Sequence, residues 1–166
     1  MDLIKIVPIT SDNDLFVISD LADKIWHQHF NPLIGEKQVD YMLEHFQCYD
    51  VMCRQVKEDG YEYFFLAYNN INVGYTAFIR DESSVFLSKI YILEEYRGKK
   101  IAKVAIQYMI DLCRKNGLSK IWLTVNRLNL NTIMVYQKIG FKIVSEQKKD
   151  IGNGFYMDDY IMEFYI

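Results

Sequence analysis

A basic turn followed by a helix is the first part of this sequence whose residue types suggest binding chemistry. The residues from Arg97 to Lys103 hold one glycine among four basic side chains, directly after a run of apolar residues. The apolar periodicity then becomes helical, so the first amides of that helix have no partner within it. Free amides at a helix start, with lysine and arginine beside them, favour an anion such as a phosphate. The alternative is an ordinary solvated helix start.

A second segment with catalytic residue types begins about 30 residues further along the chain. Asn129 stands where a helix begins, and Tyr136 follows two helical turns later on the same side. An amide and a phenol would then point into one cleft, where the phenol can donate a proton to a departing group. Taken alone, a helical tyrosine is more often a core residue.

The elements that must position these segments are predicted from the spacing of apolar residues. Alternation at the start predicts a strand ended by Pro8, and helical spacing predicts helices over 14–29, ended at Asn31-Pro32, and over 36–47. The later elements are predicted as a hairpin over 61–68 and 71–79, a strand over 85–93, a helix from 101, a strand over 121–125, a helix over 129–139 and two strands around 151–154. This order predicts one α+β domain over residues 1–166, in which helices flank a mixed, mostly antiparallel sheet.

Composition restricts the class of protein further. A chain of 166 residues with 51% hydrophobic residues can bury a large core, which excludes disorder as its main state. The net charge of -3 is not typical of a nucleic-acid-binding protein. Three cysteines without a histidine cluster predict neither a metal site nor a disulfide framework. Without a signal peptide or an apolar run of ~20 residues, we expect a cytoplasmic protein that does not bind membranes.

Together the two segments resemble the GNAT superfamily of acetyl-CoA-dependent N-acetyltransferases. The pyrophosphate motif of that family is Arg or Gln, two residues of any type, Gly, one residue of any type, then Gly or Ala, and residues 97–102 read RGKKIA. The later family motif is matched by Asn129, Thr132, Tyr136 and Gly140-Phe141. Both motifs occur in the family's order, so the resemblance covers 85–141 by motif and the rest of the chain by the order of elements.

The resemblance implies that acetyl-CoA is the co-substrate and that its acetyl group passes directly to an amine within a ternary complex. Backbone groups of Ile90, Tyr91 and Ile92 would bind the pantetheine arm as an added strand, and Asn129 would contact the same arm. Tyr136 would be the general acid that protonates the departing thiolate. The pyrophosphate would lie on the basic turn, which consists of Arg97, Gly98, Lys99, Lys100, Ile101, Ala102 and Lys103.

Two departures from the family pattern affect these expectations. Lys100 stands where glycine is usual, so a positive φ there would strain the backbone by about 1–2 kcal/mol, whereas a shifted loop would let Lys100 pair with a phosphate. The strand before the turn also lacks the glutamate that many members use to accept the amine's proton. The remaining candidates for that base are His27, His29, Glu94 or a chain of water molecules.

The acceptor amine is expected to bind between the first two helices and the final hairpin. Trp26, Phe30, Tyr41 and Phe46 would form an apolar wall, and Asp158 and Asp159 would attract a cation, unless they belong to a solvated turn. Of the side chains in this region, the candidates for binding substrate are Trp26, His27, His29, Phe30 and Asp158. Parts of it, IWHQHFNPLIGEKQVDYM and FYMDDYIM, are also similar to polyamine acetyltransferases.

The expected activity is therefore acetylation of a primary amine of a small molecule, a polyamine among them. The alternatives are a non-catalytic acyl-CoA-binding module of the same fold, an acetyltransferase of peptide N-termini, and a nucleotide sensor that uses only the basic turn. Aromatic residues near the C-terminus permit a homodimer without requiring one.

Overall fold

The computed structural model describes all 166 residues, and they form one seven-stranded sheet in the order β1-β2-β3-β4-β5-β7-β6. The elements are β1 (Ile4–Pro8), α1 (Asp12–Ile34), α2 (Glu36–Phe46), α3 (Tyr49–Glu58), β2 (Tyr61–Tyr68), β3 (Ile71–Arg80), β4 (Ser84–Ile92), α4 (Ile101–Asn116), β5 (Lys120–Asn126), α5 (Leu130–Ile139), β6 (Lys142–Gly152) and β7 (Phe155–Tyr165), with a short 3-10 helix at Glu94–Tyr96. All strand pairs are antiparallel except β4 and β5. The predicted α+β architecture with a mixed sheet is confirmed.

The two faces of the sheet are covered by different helices. We call the side that packs against α1, α2 and α3 the first face, where Ile18, Ile25 and Met52 meet Tyr75 and Ala77 of the sheet. The second face packs against α4 and α5, and its core contains inward-facing residues of both helices and of five strands. Apolar residues at helical spacing drive this packing, since each helix buries one stripe against the sheet.

The sheet is open between β4 and β5. These parallel strands pair only over 84–86 and 120–122, so the rest of β4 has no partner on its β5 side. A bulge in β4 at Ser88 bends the strand away at this point. Gly74 of β3 allows β4 to approach, because a side chain there would come within 2.3 Å of the Tyr91 carbonyl oxygen. We call the resulting gap between β4 and β5 the splay.

Two predicted boundaries differ from the structure. Helix α1 continues through Pro32 to Ile34 and is capped by Gly35, which has a φ of 85°; Pro32 lies in the last turn, where its missing N–H removes only one helical bond. Helix α3 was not predicted; it is short, and only Met52 on its apolar side is fully buried. The Asn69-Asn70 turn has φ of 49° and 67°, as expected for a two-residue hairpin. None of the helices combines the length and hydropathy needed to cross a bilayer.

Candidate active site

The basic turn places a row of free amides at the start of α4. The amides of residues 98–103 donate to no acceptor in the chain, and the first bond of this helix is from Val104 N–H to the Lys100 carbonyl. Lys100 has φ 65° and ψ 13°, and Gly98 has φ 77°. The left-handed conformation at Lys100 is the one that a glycine would adopt without strain. The turn therefore keeps the shape expected of the motif, at a cost in backbone strain.

Positive charge surrounds these amides without being neutralised. Arg97, Lys99, Lys100 and Lys103 are all exposed and none forms an ion pair. Arg97 donates from Nε to the Ile92 carbonyl oxygen at 3.2 Å, which ties the turn to the end of β4. With the partial positive charge of the helix start, this arrangement suits a pyrophosphate.

The free edge of β4 lies next to this turn. Ile90, Tyr91 and Ile92 pair with β3 on one side and border the splay on the other. Backbone groups on such an edge can bond an extended ligand as they would a strand. The geometry therefore fits the predicted binding of a pantetheine arm, while the bond from Arg97 already occupies the Ile92 carbonyl.

Helix α5 brings the predicted amide and phenol to the splay. Asn129 is buried at the start of α5, but its side chain does not cap the helix as expected; it lies close enough to His29 to influence the pKa of that imidazole. Tyr136 is buried too, and its hydroxyl has no hydrogen-bond partner in the chain. Burial raises the pKa of Tyr136, so the phenol stays protonated and able to donate.

Tyr91 marks the place where two further groups meet. Both Tyr136 and Asp159 lie close enough for their charges to raise the pKa of the Tyr91 phenol, although burial is the main cause. Asp159 is 3% exposed, and its carboxylate has neither a hydrogen bond nor an ion pair. Burial, followed by the charge of Asp158, raises the pKa of Asp159 to about 6. The sequence prediction chose Asp158 over Asp159 as a substrate-binding candidate. The two adjacent aspartates differ only in the face of β7 that each occupies.

Asp158 occupies a different environment from its neighbour. Its carboxylate accepts a bond from Arg127 Nε at 3.1 Å, and Arg127 also binds Glu146 at 2.7 Å. This ion pair is partly exposed. Asp158 therefore holds the loop after β5 against β7, and a cationic substrate would have to compete with Arg127 for it.

The two histidines of α1 have opposite environments. Nε2 of His27 lies 2.6 Å from the Asp40 carboxylate and Nδ1 lies 2.7 Å from the Asp23 carbonyl oxygen. The bond to Asp40 is the main cause of its raised pKa. When both of its nitrogens donate, His27 is protonated. It then links α1 to α2 and is a poor proton acceptor.

His29 points towards the cofactor residues instead. Burial, and then the charge of Arg97, lowers its pKa, whereas the nearby Asn129 side chain and the charge of Glu94 raise it. The imidazole is therefore neutral near pH 7 and lies beside the start of α5. Of the histidines proposed to take the proton of the amine, only His29 is near the groups that would bind acetyl-CoA.

Aromatic side chains of α1 form the wall expected for the acceptor. The ring of Trp26 lies 4.9 Å from that of Phe30 and 5.2 Å from that of Tyr91, and both residues of α1 are buried. Tyr41 of α2 contacts the final hairpin, where its hydroxyl donates to the Ile151 carbonyl oxygen. Phe46 packs at the edge of the same core. Trp26 and Phe30 thus lie next to Tyr91, as a substrate wall would require.

One cluster has the geometry of metal ligands. Donor atoms of His27, Glu36 and Asp40 lie within 4.8 Å of one another. Both ring nitrogens of His27 are already engaged, so an ion would have to displace the bonds to Asp40 and Asp23. The ion pair accounts for the cluster, and the sequence prediction of a metal-free protein stays a prediction.

The chain is similar to known acetyltransferases. The model of the acetyltransferase (GNAT) family matches residues 21–141. An uncharacterized N-acetyltransferase of Mycobacterium bovis is 34% identical over 91 residues, which cover 54% of this chain and 58% of that protein. The alanine N-acetyltransferase of ribosomal protein bS18 from Escherichia coli is 27% identical over 66 residues, covering 40% of this chain and 43% of that protein. The match thus spans about half the length of these relatives.

Solved structures extend the similarity to the whole chain. The PaiA N-acetyltransferase of Thermoplasma acidophilum, in complex with coenzyme A, superposes with a TM-score of 0.78 at 20% identity, covering 100% of this chain and 99% of that one. A SpeG spermidine N-acetyltransferase from Vibrio cholerae superposes with a TM-score of 0.68 at 18% identity, covering 98% of this chain and 93% of that one. At these identities the superpositions show a shared fold.

Proposed function

Because this chain belongs to the GNAT family of acetyltransferases, we propose that it transfers the acetyl group of acetyl-CoA to a primary amine of a small molecule. The transfer is direct and takes place in a ternary complex, without an acyl-enzyme. The one thiol near the core of the second face, Cys113, is fully buried in α4 and has a pKa raised by burial, so it is not available as a nucleophile.

The observation that carries this proposal is the position of Tyr136 in the splay. Its unpartnered hydroxyl lies near Tyr91, on the β4 edge where the pantetheine arm would bind. The free amides of the basic turn are at the end of the same edge. A ligand with a diphosphate at one end and a thioester at the other would span these two points.

Each group contributes one part of the reaction. The basic turn binds the pyrophosphate, and the β4 edge orients the pantetheine arm, with Asn129 beside it. The acceptor nitrogen, as the free amine, attacks the thioester carbon, and the carbon–sulfur bond breaks. Tyr136 gives its proton to the thiolate, and the nitrogen loses a proton that restores the phenol. The raised pKa of Tyr136 keeps that proton in place until the thiolate forms.

A small amine is favoured as acceptor by the character of the cleft. Trp26 and Phe30 pack behind the partly exposed ring of Tyr91, and an aromatic surface of this kind attracts cations as well as methylene chains. The similarity in fold to a spermidine N-acetyltransferase agrees with a polyamine. The similarity to the bS18 alanine N-acetyltransferase motivates the second candidate, a peptide N-terminus.

The test is release of coenzyme A thiol from acetyl-CoA with a panel of diamines, polyamines, monoamines and peptides that begin with alanine. We expect Tyr136→Phe to lower kcat about 100-fold while the Kd for acetyl-CoA stays unchanged, because only proton donation to the thiolate is lost. Tyr108→Phe, an exposed position on α4, is the matched control. Full turnover by Tyr136→Phe would remove this residue from the acid role.

Two further outcomes separate the remaining functions. Release with peptides alone would favour the peptide acetyltransferase over the small-amine enzyme. Tight acetyl-CoA binding without release for any acceptor would identify a non-catalytic binding module.

A further inference from the structure

Asp159 is a buried carboxylate for which the fold provides no partner. It is 3% exposed, and none of the hydrogen bonds or ion pairs of the chain involves its carboxylate, whose oxygens keep some contact with solvent. An ionised carboxylate in such a place is costly unless a cation or several donors accompany it. An acid with no structural partner in the candidate cleft is therefore available to a ligand.

The strand geometry places Asp159 on the first face of the sheet. The pairing of β5 with β7 is regular, and Met162 of β7 is buried in the core of the second face. Because side chains alternate along a strand, Asp159 lies on the opposite face from Met162, on the same side as the aromatic wall. Its cross-strand neighbours, Asn126 and Gln147, carry no charge.

The charged groups around Asp159 leave it without a cation. Asp158, the next residue, is bound to Arg127, and Arg127 also holds Glu146. Tyr91 approaches from β4, with Tyr136 of α5 on its other side, and both phenols keep their protons because burial raises their pKa values. The field at Asp159 is therefore set by burial and by the negative charge of Asp158.

Tyr136 and Asp159 reach Tyr91 from opposite faces of the sheet. Helix α5 brings the phenol from the second face, and β7 brings the carboxylate from the first. One group holds a proton that it can give, and the other can accept one. Acetyl transfer adds a proton to the sulfur and removes one from the nitrogen. It therefore needs a proton donor and a proton acceptor at separate positions.

We propose that Asp159 binds the ammonium group of the acceptor amine in the splay and takes its proton, the role that β4 leaves unfilled. The proposal rests on the proposed function and specifies its substrate class: cationic amines whose carbon chain lies against Trp26, Phe30 and Tyr91. Neutral acceptors such as alcohols and amides are excluded from this class.

The proton balance of the reaction closes with these residues. The ammonium gives one proton to Asp159, and its nitrogen then bonds to the thioester carbon. The carbon–sulfur bond breaks, and the sulfur takes the proton of Tyr136. The nitrogen loses a second proton, which returns to Tyr136, and Asp159 releases its proton to water. One ammonium and one thioester thus give one amide, one thiol and one proton.

The pH dependence follows from the pKa of Asp159, which is about 6 in the free protein. The carboxylate must be ionised to bind and deprotonate an ammonium, so kcat/KM falls as the pH decreases through about 6. A bound cation stabilises the ionised form and shifts this titration to lower pH. His29, whose pKa is lowered by burial and then by the charge of Arg97, is the other nearby base, and its titration would remain in Asp159→Asn.

The experiment compares the wild type with Asp159→Asn and with Glu163→Gln. Glu163 lies on the same face of β7, where it is bound to Lys120 at 2.7 Å, away from the splay. We expect Asp159→Asn to lower kcat/KM for the best amine about 100-fold or more and to remove the acidic limb near pH 6, with the Kd for acetyl-CoA unchanged. Glu163→Gln should retain both the rate and the limb.

A second measurement does not require turnover. Carboxyl carbon NMR with labelled aspartate follows the titration of Asp159 with and without 1,4-diaminobutane. We expect the diamine to lower the pKa of Asp159, and the signal to be absent from Asp159→Asn. A wild type that acetylates amines while Asp159→Asn stays within threefold of it overturns the role of Asp159 but not the proposed function. If no amine is acetylated, the proposed function fails, and an unchanged titration with diamine overturns the binding role as well.

Discussion

Two ionisable side chains of this protein are buried without a partner of opposite charge, and they lie on the same face of the sheet. Asp159 borders the splay, whereas Lys89 turns across Ala77 towards β2. The Lys89 amine lies 4.5 Å from the centre of the Tyr61 ring and 3.1 Å from the Gln55 amide oxygen. Burial lowers the pKa of Lys89 to about 7. Lys89 thus faces α3 and not the acceptor, which excludes it as the missing base.

Lys89 is expected to reduce the stability of the fold at neutral pH. Its pKa is about 7 in the folded chain and 10.5 when solvated, so the unfolded chain binds the proton more tightly. The contribution of Lys89 to the free energy of unfolding therefore rises from pH 7 to about pH 10. Lys89→Met should therefore raise the free energy of unfolding by about 2 kcal/mol at pH 7, with a smaller gain at pH 9.5. Urea denaturation at both pH values measures this, with the exposed Lys57→Met as control. An equal gain at both pH values would contradict the assignment.

Lys100 allows backbone strain to be separated from charge. Its φ of 65° favours glycine, so Lys100→Gly should raise the free energy of unfolding by about 1 kcal/mol. Lys100→Ala keeps the side-chain Cβ and should give no gain. Both variants lose the same charge, so an equal loss of coenzyme A affinity in the two would show that the ammonium contacts a phosphate. Equal unfolding free energies for Gly and Ala would show that the turn is not strained.

At the scale of elements, the final hairpin is attached to α2 by a few directed contacts. The Tyr41 hydroxyl donates to the Ile151 carbonyl oxygen at 2.6 Å, and Gln38 Nε2 donates to the Tyr156 carbonyl oxygen at 2.7 Å. Gly152 lies directly against Tyr41, where a Cβ would come within 2.6 Å of its hydroxyl. These contacts close the first face beside Asp159.

Removing one of these contacts should loosen the hairpin without unfolding it. Tyr41→Phe keeps the ring beside Phe155 but loses a bond worth about 1 kcal/mol, so KM for the amine should rise about fivefold. Amide exchange over residues 150–156 should become faster. Tyr156→Phe, in the same hairpin but with a hydroxyl that bonds nothing, should change neither quantity. Unchanged exchange in Tyr41→Phe would mean that Gln38 alone holds the hairpin.

The longer elements and the tight turns were predictable from local residue types. A short helix and the exact end of a long one were not. The hairpin at Asn69-Asn70 and helix α4 followed from local residue types, because positive φ and helical spacing leave clear signals. Helix α3 has an apolar stripe of Tyr49, Met52, Cys53 and Val56 at helical spacing, but it is only ten residues long and closely follows α2, and it was not predicted. Pro32 was read as a stop, yet in the last turn of α1 it costs one bond only.

For the molecule as a whole, the geometry of the basic turn and of α5 follows from local sequence more closely than the geometry of the acceptor side. Each of the two motifs, residues 97–102 and 129–136, is a continuous segment. Local secondary structure therefore fixes the relative positions of the residues within each motif. The environment of Asp159 depends on residues distant in sequence, such as Tyr91 of β4, and that proximity has no local signature. The different roles of His27 and His29 likewise depend on Asp40 and Asn129, which are distant in sequence.

The two-sided splay has a consequence for the order of events in catalysis. Acetyl-CoA would enter along the β4 edge and the start of α4, whereas the amine would enter over α1 and the hairpin. Neither path crosses the other, so no order of addition is imposed, and free coenzyme A can leave before or after the acetylated amine. Initial-rate kinetics should be random and sequential, with coenzyme A competing against acetyl-CoA at every amine concentration. A strictly ordered pattern would mean that one ligand must bind before the binding site of the other is formed.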